Sequence, residues 1–535
     1  MAAAVGERLA GLEAEQRDAL ELLAIAGDLD LDMAFELIDD EVLDRLELEG
    51  MISVRDVGSS TRIRLAHPLY GEVLTDTITP LRDRRHRAAL ATALAESSTA
   101  NTADRLRLVQ LRLDGDQAVD DELLIESAAL ALIESDTSLT LRLLRRDDPS
   151  HHNVRYQQVR GEVLYNRGRF DEAAEVWYSM DLDDMDDDTA AGVIRRLSTW
   201  MFYGKWRYEE AIEFLDEQLQ RFDGENRMAL ESYWTLIAAI EGRRAAEVIE
   251  RTERLLPSAS DHSAVDFLSG SAMAHFVLGR YDRALELLQA CYRRSEGLQP
   301  TIHWMNNGYA HFVEILTHVE MGDMEAGWAT FERITEPGSP PEFGFVSIAS
   351  ARLALMSGRW QQVLDWLDPQ IQITEALGIT TNGRPLQATA ALAALSLGDR
   401  ERAADDAVTM RSDLPDAINI TALDIRWSVL QIEAVTGEPE PALAELVAHA
   451  HRAREEHLVY MESLLLSAAV HHGGAADVVD RLGELADTVD GDLIGLRHRS
   501  ALALLGRDDA ADVLAELERR GLAFEAASFR RAVSG

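Results

Sequence analysis

The sequence predicts a mainly all-α chain: an α-solenoid of stacked helix pairs, preceded by a small domain of three helices and one β-hairpin. Three observations carry this. A glycine-led motif recurs between residues 168 and 511. Apolar residues between its copies return at steps of three and four, the period of a helix with a buried face. Within the first hundred residues, three short helical patterns are followed by two alternating stretches joined by a polar turn. The expected division is residues 1–100 for the first domain with its following helix, and 101–535 for the repeat array.

In the first domain, Glu13 to Ala26 has helical apolar spacing and Gly27 supplies the stop. Asp30 to Asp40 reads as a second short helix, and Glu41 to Leu48 as a third, closed by Gly50. Met51 to Val54 and Thr61 to Leu65 read as strands around the turn that begins at Asp56. Three helices and a hairpin in this order make a winged helix. The helix that would enter a DNA groove carries Asp39, Asp40, Glu41, Asp44, Glu47 and Glu49 against Arg45. Such a helix repels phosphate, so the domain is read as a packing module.

The repeat copies are Gly168-Arg-Phe170-Asp-Glu-Ala173, Gly279-Arg-Tyr281-Asp-Arg-Ala284, Gly322-Asp-Met324-Glu-Ala-Gly327, Gly358-Arg-Trp360-Gln-Gln-Val363 and Gly398-Asp-Arg400-Glu-Arg-Ala403. Weaker copies begin at Gly437 and Gly506, and intermediate ones at Lys205, Gly242 and Gly474. From 279 to 437 the glycines are spaced 43, 36, 40 and 39 residues apart. The glycine takes a left-handed turn at the end of a helix. An aromatic often follows two residues later and packs across the turn, and a small residue three positions beyond that lets the next helix approach. Trp177, Leu288, Phe331 and Leu367 follow four later on the same face. This is a degenerate, slightly long tetratricopeptide pattern. The helices between Leu106 and Arg145 are expected to begin the stack.

Between the hairpin and the array stand Arg64-Leu-Ala-His67-Pro68-Leu69 and Arg84-Arg-His-Arg-Ala88. With the order winged helix, then helical repeats, this resembles the large LuxR-type transcriptional regulators of the MalT-like class. The resemblance implies a signal-transduction ATPase with a P-loop domain before the winged helix, a repeat sensor, and a C-terminal helix-turn-helix. It covers nearly the whole chain but only the middle of that architecture, so neither the ATPase nor the helix-turn-helix is expected within it. His67 matches the histidine that in this class touches the β-phosphate of ADP; the class often has Asp next, where this chain has Pro68. The alternative role for His67 is to cap the helix after the wing. ATP or ADP is implied by the resemblance alone, and no cofactor is read from the residues themselves.

Composition narrows the function. The 535 residues carry 94 acids against 52 bases, a net charge of −42, which argues against direct nucleic-acid binding and against anionic membranes. No 18-residue apolar run is present, and the N-terminus lacks the pattern of a signal peptide. One cysteine, Cys291, excludes an internal disulfide and points to a reducing, cytoplasmic setting. Lys205 stands alone among 51 arginines, a ratio that fits a high-GC bacterium or a salt-adapted organism. Lys205 is not set in a P-loop. The pairs His151-His152 and His471-His472 point different ways on a helix and make poor metal sites. The run Asp181 to Asp188 lacks the glycine and terminal glutamate of a calcium loop and reads as a solvated linker. With no convergent catalytic set, the chain is not expected to be an enzyme.

Recognition remains. Stacked helix pairs curve and leave a concave surface, which the irregular linkers Glu336 to Phe345 and Gly378 to Pro385 are expected to line or cap. Trp304, Asn307, Tyr309, Phe312 and Phe345 are the candidate aromatic pocket with polar handles, the alternative being ordinary inter-repeat packing. Arg384 is the candidate cation for an anionic ligand, in what reads as a loop. The partner is expected to be a protein or a small-molecule inducer on the array. The alternative to a regulator's sensor is a free-standing tetratricopeptide adaptor.

Overall fold

The computed structural model describes residues 8–534 apart from 10, 58–59, 97–101, 134–135, 145–152, 299–304, 337–338, 342–343, 377–379 and 415–416. Its contacts divide the chain into two compact units, Met1–Met180 and Asp181–Gly535.

The first unit opens with α1 (Ala14–Ala26), β1 (Leu29–Asp30), α2 (Leu31–Leu37), α3 (Asp40–Leu48), β2 (Ile52–Val57) and β3 (Ser60–Leu65). The three helices and the hairpin are where the pattern puts them. A short strand, β1, joins them and pairs with β3, giving the antiparallel order β1-β3-β2. The register sets Leu29 opposite Ile63 and Val54 opposite Ile63 on its other side. Asp39 caps α3 by accepting from the Glu41 amide, so one acid of that helix is consumed in holding its start. α4 (Pro68–Thr77) and α5 (Pro80–Glu96) follow, and Leu20, Leu23, Leu46, Met51, Ile63, Leu74 and Leu90 form one core. α6 (Thr102–Asp114), α7 (Asp121–Ile133), α8 (Thr137–Leu143), α9 (Val154–Asn166) and α10 (Phe170–Tyr178) then pack in series. Val109, Ala128, Leu143 and Tyr156 make their own small core.

The second unit is a helical repeat array. It runs α11 (Asp187–Thr199), α12 (Tyr208–Gln218), α13 (Gly224–Glu241), α14 (Ala245–Leu255), α15 (Asp261–Val277) and α16 (Tyr281–Ser295). It continues with α17 (Met305–Met321), α18 (Met324–Ile334), α19 (Phe345–Met356), α20 (Trp360–Ala376), α21 (Thr380–Leu397) and α22 (Arg400–Asp413). It closes with α23 (Ile420–Thr436), α24 (Pro439–Glu455), α25 (Val459–Ala469), α26 (Ala475–Ala486), α27 (Leu493–Leu504), α28 (Ala510–Arg519) and α29 (Ala523–Ser534). The repeat glycines end odd-numbered helices, and the aromatics pack across the turn as expected: Tyr165 on Phe170 at 4.8 Å, Phe202 on Tyr208 at 4.7 Å and Phe276 on Tyr281 at 5.6 Å between ring centres. Two of the irregular copies have a π-helical turn ahead of them, Trp200–Gly204 and Val470–Gly474.

Odd helices form an inner layer and even helices an outer one. Outer helices bury one stripe; α16, for instance, buries Tyr281, Ala284, Leu287, Leu288 and Cys291. The inner helices α13, α15 and α25 are buried all round over most of their length. Every residue from Leu230 to Glu241, from Ser263 to Val277 and from Tyr460 to Ala469 is buried. The cause is the tightness of the superhelix. α13 packs on α23, α15 on α25, α17 on α27 and α19 on α29, so each inner helix meets another five helix pairs further on. The expected open concave surface is therefore closed along these inner helices, because the face an open solenoid leaves for a ligand is used here for packing one turn on the next.

The glycine-led tips make that stacking possible. Gly279 has φ +72°, and a Cβ there would fall 2.9 to 3.1 Å from Val489 and Val459 of the next turn. Its carbonyl accepts from the Asp490 amide at 3.0 Å, and the Asp490 carboxylate accepts from the Asp282 amide at 3.2 Å. One repeat along, the Asp492 amide donates to the Met321 carbonyl at 3.1 Å. Gly398 has φ +94° but no neighbour within 4 Å of a Cβ. Gly398→Ala should therefore cost about 1 kcal/mol for its left-handed backbone. Gly279→Ala should cost roughly 2–4 kcal/mol, because crowding between turns adds to the same backbone penalty. Urea denaturation of the two variants checks the difference.

Candidate functional site

α17 carries three of the residues expected in the aromatic pocket, Asn307, Tyr309 and Phe312. Its first turn holds Asn307, and Trp304 lies outside the described residues. Tyr309, Phe312 and Phe345 do come together. Tyr309 meets Phe345 edge-on at 5.2 Å, Phe312 meets Phe345 at 5.3 Å, and Tyr309 and Phe312 stack at 6.1 Å. Gly344 at φ +115° starts α19 so that Phe345 turns back onto α17. Tyr309 is 1% exposed, and its hydroxyl has no hydrogen-bond partner among the described residues. Burial pushes that hydroxyl well above the ordinary tyrosine range.

Arg384 is placed differently from the expectation. It lies in α21, not in a loop, and its Nη1 donates to Gln387 Oε1 at 2.5 Å. The proline that suggested a loop, Pro385, falls near the helix start, where a missing amide costs a single intrahelical bond. Burial of Leu386, Ala388 and Ala390–Ala394 holds the helix through it.

Beside the aromatic trio stands a polar quartet that sequence reading missed: Tyr292 on α16, His311 and Glu314 on α17, and Arg333 on α18. Tyr292 Oη donates to Glu314 Oε2 at 2.6 Å and lies 3.0 Å from His311 Nδ1. Arg333 Nη2 donates to the same carboxylate oxygen at 2.7 Å. The Tyr292 and His311 rings stack at 5.1 Å. Burial opposes the charge on Glu314, but hydrogen bonds from His311, Tyr292 and Arg333 outweigh it and hold the carboxyl at about 2. Burial, then the Glu314 charge, pushes Tyr292 far above its ordinary value. The low carboxyl keeps a negative charge on Glu314 near neutral pH, held beside the Arg333 guanidinium.

His67 caps α4: its Nδ1 accepts from the Leu69 amide at 3.2 Å, and its ring meets Tyr70 edge-on. His471 is buried 3.6 Å from Glu525, and the backbone leaves helical geometry at His472 and Gly473, which separates that histidine pair. His151 and His152 lie outside the described residues. Asp181 to Asp188 forms a short turn, Leu182–Asp184, and the start of α11, where Asp186 accepts from the Thr189 amide at 2.9 Å.

A buried charge set lies where the two superhelical turns meet. Arg497, 2% exposed, donates to Glu320 at 2.7 Å, to Glu525 at 3.1 Å and to Ser463 at 2.8 Å. Burial opposes the charge on Glu525, but Arg497 and then His471 outweigh it and hold the carboxyl below its ordinary value. Nearby, Arg352 donates to Asp424 at 2.5 Å and lies 4.4 Å over the Trp427 ring. Removing the central cation strands two carboxylates. Arg497→Met should cost about 3–5 kcal/mol, whereas Arg283→Met, whose pairing with Glu286 is solvent-exposed, should cost less than about 1 kcal/mol. Equilibrium denaturation measures both.

A second buried acid, Asp266 on α15, lies beside Cys291. Burial pushes Asp266 up to about 7, with Arg195 and a hydrogen bond from Ser232 pulling partly back. Burial likewise pushes the Cys291 thiol up to about 12. A carboxyl raised in the folded state stabilises below its unfolded pKa near 4 and loses that contribution as pH rises through about 7. Between pH 4 and 8 the wild type should lose on the order of 3–4 kcal/mol that Asp266→Asn does not lose. Denaturation at a series of pH values reads the difference.

No protein-family model matches the chain, and no curated protein matches it. Solved structures do. One is the signal transduction ATPase with numerous domains (STAND) that carries a tetratricopeptide repeat sensor, from Pyrococcus horikoshii. It is 11% identical over 86% of this chain, with a TM-score of 0.38, and the chain spans 66% of that protein's length. Another is the maize pentatricopeptide repeat protein PPR10, 13% identical over 92% of this chain and 73% of its own, with a TM-score of 0.27. A third is the Naa15/Naa10 complex bound to HypK-THB, 12% identical over 81% of this chain and 85% of that one, with a TM-score of 0.24. Among the described residues no helix is long and apolar enough to cross a membrane.

Proposed function

We propose that the chain is a non-enzymatic recognition protein, the winged-helix and sensor portion of a LuxR-type regulator, which receives a protein partner or a small-molecule inducer on its helical repeats. The observation that carries this is the array from α11 to α29, packed as one body through a continuous inner layer. Because that layer is consumed in packing, recognition falls to the outer helices and the segments joining them. The surface around the outer helix α18 suits it best: Arg333, half exposed beside the Glu314 carboxylate, supplies a cation there, while Tyr309 and Phe312 of the expected pocket are buried in packing.

The nucleotide part of this reading rests on the resemblance. His67 is exposed and uses Nδ1 for its cap, which leaves the Nε2 edge of the ring for a β-phosphate supplied by an ATPase domain. The acids of α3 weigh against direct DNA contact by this module, since its one arginine, Arg45, is already paired with Glu13 at 3.1 Å.

The test is the endogenous protein. Blotting cell extract with an antibody to this chain should give a band well above 59.4 kDa, or a band at that mass that co-purifies with a separate ATPase or DNA-binding subunit. A band at 59.4 kDa with neither subunit overturns the regulator reading, and the adaptor reading takes its place.

A further inference from the structure

In the first unit, α1 and α5 pack against each other and bring together Asp18, Glu21 and His86. The donor atoms of all three lie within 4.8 Å of one another. Asp18 and Glu21 are three residues apart on α1 and so share a face, and His86 reaches them from α5. The imidazole is 3% exposed, and its Nε2 has no hydrogen-bond partner among the described residues. Glu21 is as deeply buried.

The distances decide what this nitrogen is for. His86 Nε2 lies 3.5 Å from Asp18 Oδ1 and 3.7 Å from Glu21 Oε2. Those separations are long for a hydrogen bond, which would bring nitrogen and oxygen to about 2.7–3.2 Å. They come close to two ligands of one ion: metal–ligand bonds of about 2.0–2.2 Å in a tetrahedron set neighbouring donor atoms roughly 3.3–3.6 Å apart, a range that holds the Asp18 separation and falls just short of the Glu21 one. A cation already bridges the same two oxygens. Arg82 Nε donates to Glu21 Oε2 at 2.7 Å, and Arg82 Nη2 to Asp18 Oδ1 at 2.6 Å. Arg82 sits one helical turn before His86 and is about one-third exposed, so it can turn out to solvent. The remaining oxygen of Glu21, Oε1, is held by Arg17 Nε at 3.0 Å, which keeps Oε2 turned toward the imidazole.

We propose that Asp18, Glu21 and His86 bind a first-row divalent metal ion of the zinc class, and that the Arg82 guanidinium holds its seat when the ion is away. A neutral imidazole with two carboxylates is a donor set suited to zinc, cobalt or manganese. It gives three protein ligands and leaves a position open. Binding exchanges a monovalent guanidinium for a divalent ion, so Arg82 is a competitor whose removal must help.

The test uses the tag-free full-length chain in a phosphate-free buffer at pH 7.5. Zn2+ is titrated by calorimetry, and Co2+ by the visible absorption of a protein-bound ion. The expected result is one ion per chain, binding weakened at least tenfold in His86→Ala and in Glu21→Gln, and binding tightened severalfold in Arg82→Ala. The Arg82 variant separates ligand loss from damage to the fold, since a destabilised first unit does not gain affinity. Absence of one-to-one binding in both the wild type and Arg82→Ala overturns the proposal. So does binding that His86→Ala leaves unchanged, which would put the ion elsewhere, and so does an Arg82→Ala variant no tighter than the wild type.

Discussion

Closing one superhelical turn onto the next is the constraint from which most of the second unit follows. A helix-pair solenoid with five pairs per turn brings the end of one inner helix against the start of another some two hundred residues away. Two side chains of ordinary size cannot share that space with a helix tip, so the tips are glycine where they are covered, as at Gly242 against Ile420 and Leu458, and at Gly279 against Val459 and Val489. The meeting of the turns also buries polar groups that an open solenoid would leave wet. Arg497 resolves this by serving Glu320 from below and Glu525 from its own turn. Desolvating three charges is costly, and the arrangement is tolerable because each charge has a partner and Ser463 and Ser467 take up remaining positions.

Much of the local structure is legible in the sequence because it depends on neighbours in the chain. The hairpin from Ile52 to Leu65, the helix stops at Gly27 and Gly50, and the aromatic two residues after Gly168, Gly279 and Gly358 are decided by contacts a few residues long. The turn-to-turn contacts are not local. Nothing in the residues around Gly279 announces Val489, and the pairing depends on superhelix radius, which is the sum of many small rotations between repeats. One signal was available. The stretch Ser263 to Val277 has apolar or small residues on every side and no charged face beyond Asp266 and His275, and a helix without a polar side is a helix covered all round. The inner layer could have been read as closed on that ground.

The candidate site divides in the same way. That Tyr309, Phe312 and Phe345 meet was legible because aromatic residues beside an irregular segment stand out in composition. Arg384 was misplaced because a Gly-x-Pro neighbourhood imitates a loop, and a proline in the first turns of a helix is hard to tell from one that precedes it. Tyr292, Glu314 and Arg333 escaped notice because they come from three helices and none is unusual in its own segment. The carboxylates of Asp18 and Glu21 have a readable helical spacing, but the imidazole that completes them is 65 residues on, and its nearest sequence neighbours are arginines that suggest a solvated basic face instead.

Stacked turns change how such a chain comes apart. An open repeat array behaves as a line of units, each held by its two neighbours, and it can fray from an end one unit at a time. Here Gly279 is tied to Asp490, and Glu320 to Arg497, across 211 and 177 positions of sequence. Losing a repeat in the first turn uncovers one in the second, so fraying is suppressed and the array gains cooperativity along its axis as well as along its chain. The same links carry a kinetic cost: loops of that length must close before the turns reward each other, and folding is slower than the local helix pairs alone would allow.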